Sequence, residues 1–241
     1  MHADMALIYD GIDFKYLGKL VERINGLVMR RNDKILSQNK INLLFRASIM
    51  AMFNDREVKN EVQIIGVDIS LDKLYKNPYI SKIACDVHYM PIKTGTINAV
   101  ISQDLFEHLQ RPDTMISEMH RILKPCGKII FKIPNKNSIF GFFTRLTPYW
   151  LHKIYWKMAL SDYPDVTPTF YKFNDKKTIK RLAAENGFKI NNVEYFCSFP
   201  PAPSILPFFI YIPYLLILKI INTSKRLKSY SDVIVCCIEK A

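Results

Sequence analysis

The chain has 241 residues, of which 49% are hydrophobic and 23% charged, proportions that exclude a disordered or fibrous protein. That length suits one sizeable α/β domain with its own core. A net charge of +12, from 34 Lys and Arg against 22 Asp and Glu, predicts either a solvated basic face or attraction to something anionic, an acidic membrane or nucleic acid.

The first thirty residues are expected to be helical, because Leu17, Leu20, Val21, Ile24, Leu27 and Val28 recur at three- and four-residue steps. A short strand at residues 34–36 and a helix at 41–53 follow. Residues 62–68 are a largely apolar run, short enough for a buried parallel strand, and end on Asp68. A short helix is expected at 71–75 and a strand at 82–86. Pro91 and Gly95 punctuate the loop before a strand at 99–102. Pro112 suits the first position of a helix whose apolar face is Met115, Ile116, Met119, Ile122 and Leu123. A strand at 128–133 comes next. Asn174 or Asp175 can cap a later helix that turns Ile179, Leu182 and Ala183 inward and stops at Gly187. Strands at 190–196 and 233–238 complete the pattern. Alternating strands and helices predict a doubly wound, mostly parallel sheet formed by a single domain, residues 1–241.

Two segments interrupt the alternation. Residues 139–172 are an aromatic-rich insertion that leaves the sheet after a strand end, as a lid would. Residues 199–230 contain the run 205–221, seventeen residues with one charge, Lys219. A membrane-spanning helix needs roughly 20 apolar residues, and Pro207 and Pro213 weaken a straight span further. A core helix or an interfacial segment is therefore expected in preference to a crossing. Five cysteines form no CxxC pair and read as small hydrophobes of a reducing compartment, with Cys236 and Cys237 on opposite faces of one strand. No basic segment followed by an apolar run opens the chain, which predicts a cytoplasmic protein. The histidines show no ligand spacing with one another or with cysteine, so no metal site is expected.

The most informative stretch is INAVISQDLFEHL, residues 97–109, in which an apolar strand runs straight into polar residues and a helical turn. In open α/β sheets, ligands bind beyond the carboxyl ends of strands. Asp68 ends another such strand. A carboxylate there can accept hydrogen bonds from both hydroxyls of a ribose, which points to a nucleoside-containing cofactor. It can also act as an N-cap for the helix beginning at Leu71.

Residues 86–135, DVHYMPIKTGTINAVISQDLFEHLQRPDTMISEMHRILKPCGKIIFKIPN, resemble the class I S-adenosylmethionine-dependent methyltransferases almost end to end. The small-molecule branch typified by quinone-biosynthesis methylases is the nearest in pattern. The shared features are the acid-x-x-x-x-Pro loop, the strand before Glu-His-Leu, and the Leu-Lys-Pro-x-Gly turn into a strand. Residues 173–190 resemble the later helix of that family, ending at Gly-Phe. This resemblance implies a Rossmann-like sheet of seven strands, the last antiparallel, and S-adenosylmethionine as cofactor. It implies contacts from Asp68 to the ribose, Ile69 to the adenine face, Asp86 and the Val87 backbone to the adenine amino end, and Gln103 to the methionine part.

The chain departs from the family at its glycine-rich cofactor loop. None of its eight glycines forms G-x-G, and Ser37 stands where the family's acid belongs, followed by Gln38, Asn39 and Lys40. Glycines let a backbone approach a ligand closely, and Asn39 replaces that freedom only in part. His108 and Asp104 are candidate bases by residue type, His108 being largely scaffold in the family. Two functions follow: methyl transfer to a small hydrophobic or lipid-linked acceptor near an anionic membrane, or a catalytically inactive relative acting as a binding or regulatory partner. Nucleic acid is the weaker reading of the charge, since no aromatic RNA-stacking motif accompanies it.

Overall fold

The structure, a computed structural model, describes residues 4–9, 36–37, 63–71, 74, 81–146, 148, 168–196, 198–199, 208–224 and 226–241. Among these, nine strands form two sheets. They are β1 (Asp4–Tyr9), β2 (Leu36–Ser37), β3 (Gln63–Asp68), β4 (Ser81–Ala84), β5 (Ile97–Gln103), β6 (Leu123–Pro134), β7 (Phe188–Phe196), β8 (Ser198–Phe199) and β9 (Val233–Lys240). The helices are α1 (Pro112–Ile122), α2 (Ile139–Leu146), α3 (Lys176–Glu185) and α4 (Phe208–Thr223).

The main sheet has the order β4-β3-β1-β5-β6-β9-β7. Its β3–β4 and β5–β6 pairs are parallel, whereas β1 runs antiparallel to both of its neighbours, and β9 to both of its own. The sheet is therefore mixed, with five strands in one direction and two reversed, which corrects the expected mostly parallel sheet. The reversed strand at its centre comes from the first ten residues, where a helix was expected. A short apolar run such as MALIY has the same composition in a helix, a parallel strand or an antiparallel one, so its hydropathy does not choose between them. The rest of that expected helix, beyond Tyr9, and the helix expected at 41–53 lie outside the described residues.

A second correction concerns the strand expected at 34–36. Leu36 and Ser37 pair in parallel with Ser198 and Phe199, in a two-stranded sheet separate from the main one. Ser37 thus does not end a strand of the main sheet.

One face of that sheet is covered by α1 and α3. Met115, Ile116, Met119 and Ile122 of α1 and Ile179, Leu182 and Ala183 of α3 pack in one buried cluster with Ile129, Phe131 and Ile133 of β6 and Ile234, Cys236 and Ile238 of β9. The alternation along β6 and β9 follows from the two-residue period of a strand. Cys237 is buried outside that cluster, as expected for the opposite face, and burial pushes its thiol up to about 11. Pro112 occupies the start of α1, where a missing N–H costs nothing. Asp175 caps α3 by accepting from the Thr178 N–H at 3.0 Å, and Gly187 follows α3 with φ +72°. The Leu-Lys-Pro-Cys-Gly turn survives as an irregularity inside β6: Ile97 pairs with Leu123 but Ala99 with Lys128, and Cys126 turns the chain at φ +60°. Among the described residues no helix is long and apolar enough to cross a membrane.

Candidate functional site

Because β3, β4 and β5 share one direction, their carboxyl ends meet at one edge, and that edge carries Asp68, Asp86 and Gln103. Asp4, the first residue of reversed β1, pairs with Gln103 there. The edge is held together locally by backbone bonds: Cys85 N–H donates to the Asp68 carbonyl at 3.1 Å and Asp104 N–H to the Lys132 carbonyl at 3.0 Å.

Asp68 is half-buried, and its Oδ1 accepts from the Ser70 N–H at 2.8 Å. This closes an Asx turn. The first turn of the following helix is bonded through the Ser70 carbonyl, which accepts from Leu74 N–H at 3.1 Å, so Asp68 precedes the helix and does not cap it. Ile69 beside it is a large apolar side chain that is 75% exposed.

Asp86 makes a second turn of the same kind: its Oδ1 lies 2.9 Å from the His88 N–H and 2.6 Å from His88 Nδ1. The His88 backbone N–H, followed by the imidazole, holds the Asp86 carboxyl below the usual carboxylate range. Val87 turns its side chain into the core, so only its backbone faces the edge. This loop is fastened to α1 by Glu118 and Arg121. Glu118 accepts from Met90 N–H at 2.7 Å, while Arg121 donates to the carbonyls of Met90 and Ile92 and to Glu118. A depression of about 460 Å³ is lined by His88, Tyr89, Asp113, Thr114, Ser117, Glu118 and Asn186, and by neither Asp68 nor Gln103.

Gln103 and Asp104 end β5 in buried surroundings. Gln103 Nε2 donates to Asp104 Oδ2 at 3.2 Å, while Gln103 Oε1 has no partner among the described residues. Asp104 sits at φ +50°, in the left-handed region that Asp tolerates better than most residues. Its carboxylate is gripped by Lys132 of β6, with side-chain exposures of 1% and 0%. Phe106 then anchors the turn, stacking on Phe173 and packing against Phe131, with ring centroids 4.6 and 5.0 Å apart. Glu107 is buried behind it. Burial, then the Asp104 carboxylate, pushes the Glu107 carboxyl well up.

Both candidate bases have other work. Asp104 is neutralised by Lys132. His108 Nδ1 lies 2.8 Å from the Pro168 carbonyl oxygen, which can only accept, so Nδ1 carries the proton and ties down the end of the 139–172 insertion. Phe170 N–H donates to the Glu107 carbonyl at 2.7 Å in the same seam. Sequence reading missed Lys132 and Glu107. The available signal was a lysine inside the apolar run IIFKIP, where an uncompensated charge would be costly.

These strand ends, with a polar turn after β5, lie at the kind of edge where open α/β sheets bind ligands. Residues 49–131 match the methyltransferase domain family. The match covers about a third of the chain and contains Asp68, Asp86, Gln103 and α1. Among solved structures, the chain is similar to an S-adenosylmethionine-dependent methyltransferase from Thermotoga maritima, with 16% identity, a TM-score of 0.50, and 73% of this chain and 72% of that chain covered. It is also similar to an S-adenosylmethionine-dependent methyltransferase from Archaeoglobus fulgidus, with 16% identity, a TM-score of 0.47, and 81% and 82% covered. The first likeness shows a methyltransferase-like fold. No curated protein matches the chain.

Proposed function

We propose that the chain transfers the methyl group of S-adenosylmethionine to a small hydrophobic or lipid-linked acceptor. The observation that carries this reading is the convergence of Asp68, Asp86 and Gln103 on one sheet edge inside the span that matches a methyltransferase domain. In this reading Asp68 holds the ribose hydroxyls and exposed Ile69 lies against the adenine. Asp86 and the Val87 backbone meet its amino end. The unpartnered Oε1 of Gln103 supports the fit, because it offers a buried acceptor where the methionine ammonium would come. Ser37, which pairs with Phe199 in the two-stranded sheet, is a further proposed contact for the cofactor.

S-adenosylmethionine supplies an electrophilic methyl group on a sulfonium. The protein's contribution is to align an acceptor in line with it and to exclude water, which together supply much of the rate. Asp104, fixed by Lys132, holds the turn after β5 and abstracts no proton. His108 and the backbone of Glu107 keep residues 168–170 over that turn. Residues 168–170, at the described end of the aromatic-rich insertion, would then border the acceptor. The cysteine pattern keeps the cytoplasm as the location.

The test uses purified protein, S-adenosylmethionine labelled in its methyl group, and a membrane-lipid extract. Label entering the organic phase supports the reading. Label retained in the aqueous phase on a water-soluble acceptor would overturn the choice of acceptor. Cofactor binding with no transfer to any acceptor would favour the catalytically inactive binding partner.

A further inference from the structure

We propose that α2 and α4 form a docking face for an anionic bilayer surface. The face goes beyond the methyl-transfer reading and does not depend on it.

The argument starts from the sequence of α4, FFIYIPYLLILKIINT, which is apolar on every side. A helix in a soluble domain normally buries its apolar stripe and exposes a polar one. Here only part of the helix is buried: Leu218 and Ile221 pack with Ile139 at the start of α2 and with Tyr214. Ile212, Leu216, Ile217 and Ile220 are 36%, 57%, 42% and 57% exposed. Successive helical residues are about 100° apart, so these four fall within an arc of about 140° beside the buried side. Phe142 and Leu146, one helical turn apart on neighbouring α2, are 52% and 65% exposed. Two adjacent helices thus present six large apolar side chains, a patch of the kind that marks an interaction site.

Charge chooses the partner. Residues 204–231 contain Lys219, Lys225, Arg226 and Lys228 and no acid, within a chain of net charge +12. Lys219 and Arg226 are exposed beside the patch, as are Leu227 and Tyr230. Lys228 approaches Glu194 at 3.8 Å. A second copy of this chain would bring two such cationic rims together and be repelled. An anionic bilayer meets both features, because shallow apolar insertion and cationic attraction together anchor peripheral proteins. No described helix is long and apolar enough to cross a membrane, so the contact is interfacial. Helix α2 follows directly on β6, which ends at the same sheet edge as β5 and Gln103. A lipid-phase acceptor would therefore reach that edge from the bilayer.

The test is flotation of the full chain with phosphatidylcholine vesicles, with and without phosphatidylglycerol, at low and high salt. The expected result is flotation with the anionic vesicles at low salt, weakened by salt and by omission of phosphatidylglycerol. Lys219→Glu with Arg226→Glu should lower the partition coefficient about tenfold or more. Leu216→Glu with Ile220→Glu should abolish it, with thermal unfolding checking that the variants fold. A folded parent that fails to float at low salt overturns the proposal, as does flotation indifferent to phosphatidylglycerol. If sedimentation shows a dimer that Leu216→Glu dissolves, the face belongs to a second copy and the proposal falls.

Discussion

Lys132 Nζ lies 2.7 Å from Oδ1 and 2.8 Å from Oδ2 of Asp104, and neither side chain reaches solvent. The pair joins β5 to β6 at the residue where β5 ends and the chain turns into the left-handed region. It therefore sets the shape of the edge without contacting solvent.

A buried ion pair is costly to form, but breaking it by removing one partner is costlier, because the other charge is left uncompensated. Lys132→Met should destabilise the protein by about 3–5 kcal/mol in denaturant unfolding. Adding Asp104→Asn should recover much of that loss, since Asn also tolerates a positive φ and carries no charge. Equal stability of Lys132→Met and the parent would mean that Asp104 is solvated in the native protein.

Glu107 gives stability a pH dependence. Its folded-state carboxyl is held above the ordinary value of 4.5, first by burial and then by Asp104, so the folded protein keeps a proton that the unfolded chain has released. Stability from this group is greatest below pH 4.5 and declines as pH rises towards the folded value. Glu107→Gln, which stays neutral, should remove that decline. The melting temperature of the variant should gain on the parent as pH increases from 5 to 8. A constant difference across that range would contradict the assignment.

Asp175 works in the opposite sense. Burial opposes its ionisation, but Lys136 and the Thr178 N–H and hydroxyl outweigh burial and hold the carboxyl below its ordinary 3.8. Its contribution is present above pH 3.8 and lost as pH falls through the lower folded value. Asp175→Ala should cost about 1–2 kcal/mol at neutral pH through the lost N-cap, and the difference should shrink in strong acid. Chemical denaturation at pH 7 and at pH 3 measures both ends.

Strands β3 and β5, helix α1 and the start of α3 were legible because each combines a clear period with a boundary residue: Asp68, Gln103, Pro112, and Asn174 or Asp175, of which Asp175 is the cap. Two of them, Asp68 and Gln103, end strands at the same edge of the sheet. Strand β1 was not legible at all: residues 4–9 were expected to be helical, and a short apolar run carries no sign that distinguishes a helix from a strand or parallel from antiparallel pairing. The same ambiguity assigned residues 34–36 to the main sheet, whereas Leu36 and Ser37 pair with Ser198 and Phe199. Lys132 and Asp104 lie 28 residues apart and meet only through the β5–β6 register, which sequence alone does not supply.

The central claim is that Asp68 holds the ribose of S-adenosylmethionine at this edge, and calorimetric titration of the parent and of Asp68→Ala tests it most directly. Hydrogen bonds to a carboxylate contribute about 1.5–3 kcal/mol each, so the variant should bind at least about tenfold more weakly, with unfolding unchanged. Equal affinity of the two proteins, or no binding by the folded parent, would contradict the account.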